Sequence, residues 1–465
     1  MFENEKISKK VICGILATGL LSFCGIVVET AMNITFPTLM AEFGIGTSTV
    51  QWLTTLYLLV VAMIVPLSAI LKRRFRTKSL FIVSNLLFLS GIILDTFAPT
   101  FALLLLGRGI QGLGTGIALP LMYNIILEQV PRKKIGTMMG VANLITAIAP
   151  ALGPTFGGFV LSFLDWRYIF IFLIPILIAS FFIGIWAIEQ KSAIESVKVD
   201  HLGIILIILT FSSLIFGVSN IGNVGLLSLA GGGVLLFGII MAALFSVHSL
   251  RNDHPVIDLK TLSNMHFTSF VLAFFLFQLA ILSVSFLLPN YIQLVNHSEA
   301  VIAGLVILPG ALIGALFAPA SGRFLDTFGP KIPLVAGSIL CIVSFACYSL
   351  FSLGMNNILI GWIYLFFMIG ISMSMGNLMT SGLSHLGITK RADGNAIFTT
   401  VQQFAGAVGV SLASTLVSLS QANETLSLTQ STAIGSQHAF ILLAALCVIQ
   451  LLLVFKALKP DPKQS

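Results

Sequence analysis

The sequence predicts an all-α membrane protein of fourteen transmembrane helices, grouped six, two and six, with both ends on the cytoplasmic side. Three observations predict this class. Of 465 residues, 57% are hydrophobic and only 9% charged, with a mean hydropathy of +1.04; soluble domains carry roughly 25% charged residues. Apolar runs of about 20 residues, each long enough to cross roughly 30 Å of hydrocarbon, recur from end to end. Of the 24 Lys and Arg, all but Arg108 and Arg167 fall in alternate loops or the two tails. Placing those loops in the cytoplasm satisfies the positive-inside rule at every crossing. The net charge of +7 therefore reports topology, and a nucleic-acid partner finds no support.

The fourteen spans run over about 11–36, 49–71, 79–97, 101–124, 135–161, 167–188, 202–220, 226–247, 267–289, 300–321, 331–352, 357–380, 395–418 and 437–458. The first carries Thr18, Ser22, Gly25, Glu29 and Asn33 at helical steps, a polar stripe suited to a water-filled cavity or a partner helix. Glu29 is the one carboxylate well inside a span. The second span opens at Trp52 and ends in the basic run Lys72-Arg-Arg-Phe-Arg-Thr-Lys78. Trp52, Trp166, Trp186 and Trp362 sit at span ends and read as interfacial anchors.

The fourth span places Arg108 inside hydrocarbon, where an ionisable residue is a functional candidate by default. Arg108, Gly112 and Gly116 share one helical face. Small residues there favour close contact with another helix, so Arg108 should point into protein. The fifth span repeats the device with Ala149, Gly153 and Gly157, and Pro150 and Pro154 bend it. At 1.5 Å per residue, Glu29 and Arg108 both lie roughly 12–14 Å below the outer boundary. A lone acid and a lone base thus share one depth.

A charged linker at 189–200 separates six spans from a pair almost free of interior polar side chains, and a second linker at 249–264 leads to six more. The expected units are 1–190, 191–264 and 265–465. The last six spans echo the first six: Pro66-Leu-Ser-Ala-Ile-Leu-Lys-Arg-Arg-Phe-Arg-Thr-Lys78 aligns without gaps on Pro319-Ala-Ser-Gly-Arg-Phe-Leu-Asp-Thr-Phe-Gly-Pro-Lys331. Ala405, Gly409 and Ala413 copy the small stripe of the fifth span. Duplicated bundles enclosing a midplane site are the architecture of alternating-access carriers.

The five Cys lie in apolar segments without metal-type spacing, and the seven His are scattered near span ends. Nothing in that pattern calls for a metal, a cofactor or an enzyme site.

These motifs resemble the major facilitator superfamily, specifically its fourteen-helix drug:proton antiporter family. Glu29-Thr-Ala-Met-Asn-Ile-Thr-Phe-Pro37, with Asn33 and Pro37, is similar to that family's first-helix signature. Leu106-Gly-Arg-Gly-Ile-Gln-Gly112 looks like the fourth-helix R-x-x-Q-G motif, with Arg108, Gln111 and Gly112. Ala151-Leu-Gly-Pro-Thr-Phe-Gly-Gly158 looks like the fifth-helix antiporter motif, with Gly153, Pro154, Gly157 and Gly158. Gly322-Arg-Phe-Leu-Asp-Thr-Phe-Gly-Pro-Lys331 is a full copy of the superfamily's cytoplasmic loop motif, with Gly322, Asp326, Gly329 and Lys331. Three features depart from the pattern. The first loop motif has Arg73 and Arg76 where Asp and Gly are usual, the first-helix acid sits one residue late, and Gln402-Gln403 replaces an Arg-Gln pair.

The resemblance implies a multidrug exporter of the cell membrane, a single chain trading protons for small hydrophobic or amphipathic substrates. It also implies that the fifth-helix motif seals the pathway and that Asp326 latches the loop between spans ten and eleven. Glu29 with Arg108 either exchanges a proton during transport or forms a permanent strut. Asn143, Gln278, Asn377, Gln402 and Gln403, together with Asn33 and Gln111, either line a substrate cavity or bond neighbouring helices. The competing functions are export of one metabolite or lipid-like product, and facilitated passage without protons.

Overall fold

The computed structural model describes residues 7–131, 134–191, 194, 199–253, 255–387, 390–422 and 425–459. They form helices α1 (Lys9–Phe43), α2 (Thr47–Val50), α3 (Trp52–Ile64), α4 (Ser68–Arg74), α5 (Thr77–Thr96), α6 (Phe101–Gln129), α7 (Ile135–Phe163), α8 (Tyr168–Ala187), α9 (His201–Val224) and α10 (Val234–Arg251). The remainder are α11 (Met265–Leu294), α12 (Ala300–Phe328), α13 (Lys331–Phe351), α14 (Asn357–Ser384), α15 (Arg391–Gln421) and α16 (Leu428–Ala457). There is no strand among the described residues. Thirteen helices there are long and apolar enough to cross a membrane, and α7 contributes the shorter apolar stretch Ile148–Phe163.

Local sequence explains the ends. Thr100 caps α6 by accepting from the Leu103 N–H, and Asn264 caps α11 by accepting from His266 and Phe267. Ser427 and Gln430 form a reciprocal capping box on α16, which satisfies backbone donors that hydrocarbon would leave bare. Gly44 closes α1 in the left-handed region at φ 62°, a conformation that costs glycine nothing.

Two expected spans are less regular than the apolar runs suggest. The second is broken by a 3₁₀ turn, Val65–Leu67, because Pro66 removes a helical donor. The eighth starts with a π-helical turn, Leu229–Gly233, that merges into α10.

Packing sorts the helices into two groups. In one, α1 lies against α6, α7 and α8, α3 against α6, and α5 against α6 and α8. In the other, α11 lies against α14, α15 and α16, with α12 on α14 and α13 on both α14 and α16. The groups meet along α7 with α12 and along α3 with α15. Helices α9 and α10 pair with each other, and α9 leans on α3 and α15.

Trp166 corrects one reading. It is 1% exposed rather than interfacial, and its Nε1 donates to Glu42 Oε2 at 2.6 Å. The Arg167 guanidinium covers its ring at 4.1 Å. A short α7–α8 turn folds the indole inward, where its N–H needs an acceptor. Arg167 also pairs with Glu42 at 3.0 Å. Burial alone would lower the guanidinium's pKa, but its bonds to Glu42 and Asp165 outweigh that and raise it.

Candidate functional site

The site is built where α6 presses on α3 and α5. Gly112 and Gly116 leave no room for a side chain: a Cβ at Gly112 would meet Val60 Cβ at 2.9 Å, and one at Gly116 would meet Ile64 Cβ at 2.7 Å. That approach brings Arg108, on the same face, against the first turn of α3. Its Nε donates to the Leu53 carbonyl at 3.1 Å, using the oxygen's second lone pair. Its Nη1 donates to Gln111 Oε1 at 2.6 Å, and its plane lies over the Tyr57 ring, 4.3 Å from the centroid. Tyr57 in turn donates to Thr115 at 2.9 Å. The guanidinium is fully buried, and its Nη2 has no partner.

The acid that answers this charge through hydrogen bonds is Asp95, near the end of α5. Gln111 Nε2 donates to Asp95 Oδ2 at 2.7 Å. Asp95 is 0% exposed, its Oδ1 has no partner, and it packs directly on Gly107, where any side chain would collide with the carboxylate. Glu29 is therefore not the sole buried carboxylate. Asp95 lies within the third expected span, two residues from its end, a place where acids commonly meet water. The signal that could have found it is Gly91 and Gly107, the small residues by which α5 and α6 touch.

Glu29 itself is buried, 9% exposed, and faces Arg108 electrostatically. No ion pair or hydrogen bond holds its carboxylate among the described residues. The expected pairing of Glu29 with Arg108 does not form as an ion pair or hydrogen bond in this conformation.

The remaining candidates divide clearly. Asn33 is a joint between the two helix groups: Nδ2 donates to Ser285 at 2.9 Å, and Oδ1 accepts from Thr54 at 2.7 Å. Pro37 borders a surface cleft of about 590 Å³ shared with Gln293, His297 and Glu299, lined by neither Arg108 nor Asp95. Gly153 and Gly157 seat α7 on Thr30 and Ala31 of α1, and a Cβ at Gly158 would meet the Ala300 carbonyl at 2.5 Å. A Cβ at Gly304 would meet the Pro154 carbonyl at 2.7 Å across the same junction.

Asn377 is a bond between helices: its Nδ2 donates to Ser321 Oγ at 2.8 Å and to the Met373 carbonyl at 2.8 Å. Gln402 and Gln403 are half-buried and Gln278 is buried; none makes a hydrogen bond among the described residues. The Asn143 side chain lies outside the described residues.

The second loop motif is mostly helix. Gly322 and Asp326 belong to the end of α12, Gly329 turns the chain at φ 71°, and Lys331 starts α13. Asp326 is exposed and makes no ion pair among the described residues. At the first loop motif, Lys72 pairs with Glu128, and the Thr77 N–H donates to Gln190 Oε1 at 2.7 Å. Arg73 and Arg76 are exposed.

The profile described as Major Facilitator Superfamily matches residues 18–410. Lincomycin resistance protein LmrB of Bacillus subtilis is 36% identical over 461 residues, covering 95% of each chain. LmrB of Listeria monocytogenes is 36% identical over 399 residues, 86% of this chain and 85% of that one. Multidrug export protein EmrB of Haemophilus influenzae is 27% identical, covering 85% and 78%. Among solved structures, a POT family transporter in complex with 5-aminolevulinic acid superposes with TM-score 0.72 at 14% identity, over 96% of this chain and 97% of that one. A D-xylose-proton symporter gives 0.68 at 16%, over 97% and 98%. These two establish a shared fold.

Proposed function

Because the chain belongs to the major facilitator superfamily, we infer that it is a multi-pass transporter of the cell membrane that expels drugs in exchange for protons by alternating access. Relatives named for lincomycin resistance and multidrug export support the drug-efflux reading and make lincomycin the first compound to test. Proton coupling rests on one observation. Glu29 is buried among helices, holds no hydrogen bond among the described residues, and lies close enough to the buried Arg108 to feel its charge.

A carboxylate so placed can hold a proton or a charge, and each state alters its attraction to Arg108. Protonation weakens that attraction, and its loss biases the two bundles toward their other arrangement. Gln278, Gln402 and Gln403, with amides unclaimed by neighbours, are the proposed substrate contacts. Fourteen spans in a 6+2+6 order, divided at 191 and 265 and with the basic loops cytoplasmic, complete the proposal, and a single chain is its working unit.

The side-chain bonds between the bundles fit a state closed on the face opposite the basic loops. Asn33 donates to Ser285, Thr47 to Gln421 Oε1 at 2.7 Å, Thr155 to the Gly304 carbonyl at 3.3 Å, and Gln293 to the Ile34 carbonyl at 3.0 Å.

The test is lincomycin transport by the full chain in inside-out vesicles under an imposed pH gradient. Wild type should accumulate lincomycin and release protons as it does so. Glu29→Gln should lose gradient-driven accumulation by at least tenfold while retaining downhill exchange. Undiminished proton-coupled uptake by that variant would end the assignment.

A further inference from the structure

Two carboxylates compete for Arg108, and they are held very differently. Asp95 is sealed from solvent and tied to the guanidinium through Gln111, whose amide accepts from Arg108 Nη1 and donates to Asp95 Oδ2. Glu29 carries no hydrogen bond or ion pair among the described residues. Gly107 and Gly91 admit this arrangement: a Cβ at Gly107 would overlap the Asp95 carboxylate, and one at Gly91 would stand 2.7 Å from Gln111 Cγ. Two helices are thus pressed together at the places where the Asp95–Gln111 link requires it.

We propose that Asp95 is a positioning acid for Arg108, holding the guanidinium through Gln111 so that Glu29 stays free to exchange its proton. This rests on the coupling role given to Glu29 above. Arg108 is a fixed cation, since a guanidinium keeps its proton. Left without a permanent counter-charge, it would draw Glu29 into a lasting ion pair, and a paired carboxylate gives up its place to a proton only at lower pH. For this role Asp95 must be ionised, supplying that counter-charge through Gln111. Its Oδ1, buried and unpartnered, lies beyond the reach of solvent, so it is not itself the carrier of the exchanged proton. The titratable groups around the pair are few: Arg108 from α6, Tyr57 from α3, Cys24 and Glu29 on α1, and Asp95 from α5. Only Glu29 among the acids lacks a hydrogen-bonded tether.

The experiment follows lincomycin uptake against pH in inside-out vesicles for wild type, Asp95→Asn, Asp95→Glu, Glu29→Gln and the Asp95→Asn/Glu29→Gln double variant. Asp95→Asn should keep transport but move the pH midpoint at least one unit toward acid, a tenfold change in the proton concentration required. Asp95→Glu should restore the wild-type midpoint at least in part, and the double variant should be as insensitive to pH as Glu29→Gln alone. Should Asp95→Asn fail to accumulate in the membrane, Gln111→Met severs the same link at similar volume and should give the same acid shift. An unchanged midpoint in whichever of these variants accumulates would overturn the proposal and leave Asp95 as packing. A pH-dependent Glu29→Gln protein would instead overturn the coupling role of Glu29, so the two failures read differently.

Discussion

At the scale of single residues, Arg108 shows why charge alone does not define the site. Its Nε and Nη1 serve two acceptors at once, the Leu53 carbonyl and Gln111, while its face rests on Tyr57. A lysine keeps the charge but offers one compact ammonium, which cannot span both acceptors or stack on the ring. Arg108→Lys should therefore cost about 1.5–3 kcal/mol, the worth of a hydrogen bond to a charged group. A fall in the melting temperature of the purified protein would report this, with a drop in lincomycin uptake of at least tenfold. A variant that melts and transports like wild type would show that the fork geometry is dispensable. The same residue scale explains Asn377, whose Nδ2 is committed to Ser321 and Met373 while its Oδ1 accepts no hydrogen bond among the described residues.

At the scale of elements, helix ends and helix contacts carry the stability. The α9–α10 pair is tied at its basic end by Asp200, which caps α9 through the Gly203 N–H at 2.9 Å and meets His248 Nε2 of α10 at 2.7 Å. Burial alone would raise the Asp200 carboxyl's pKa, but the Gly203 bond, with His248, outweighs it and holds the group below its usual range. The sign follows from that depression. The cap's contribution is complete above the ordinary aspartate range, near pH 4, and is lost as the pH falls through the lowered folded value. Asp200→Ala should lose about 1 kcal/mol and Asp200→Asn much less, since asparagine also caps well. Thermal melts at pH 7 test both; an alanine variant as stable as wild type would remove the cap from the account.

At the scale of the whole molecule, the junction between bundles decides what motion is open to the chain. Thr47 and Gln421 meet across that junction on the face opposite the basic loops. If this face must open during transport, a cross-link there should stop it. Cysteines at both positions, in a chain whose five native cysteines are replaced, should form a bridge with a short bifunctional thiol reagent. Lincomycin uptake should fall at least tenfold once the link forms and return when a cleavable linker is cut. Full transport by the cross-linked protein would mean that this face stays shut throughout the cycle.

Apolar runs, loop charge and four-residue stripes of small side chains were enough to place the helices and to turn Arg108 inward, but not to say that α7 sits on α1. These features are local, because hydrocarbon thickness and helical period act on each segment alone. Recruitment of Asp95 to Arg108, burial of Trp166, and commitment of Asn33 and Asn377 to helix contacts were decided only by the tertiary structure. Each depends on which distant segment lies alongside. An acid near a span end reads as a surface group until Gly107 lets α5 close over it. Because desolvated charge must find its partners in three dimensions, one-dimensional spacing showed the cation but not the carboxylate tied to it.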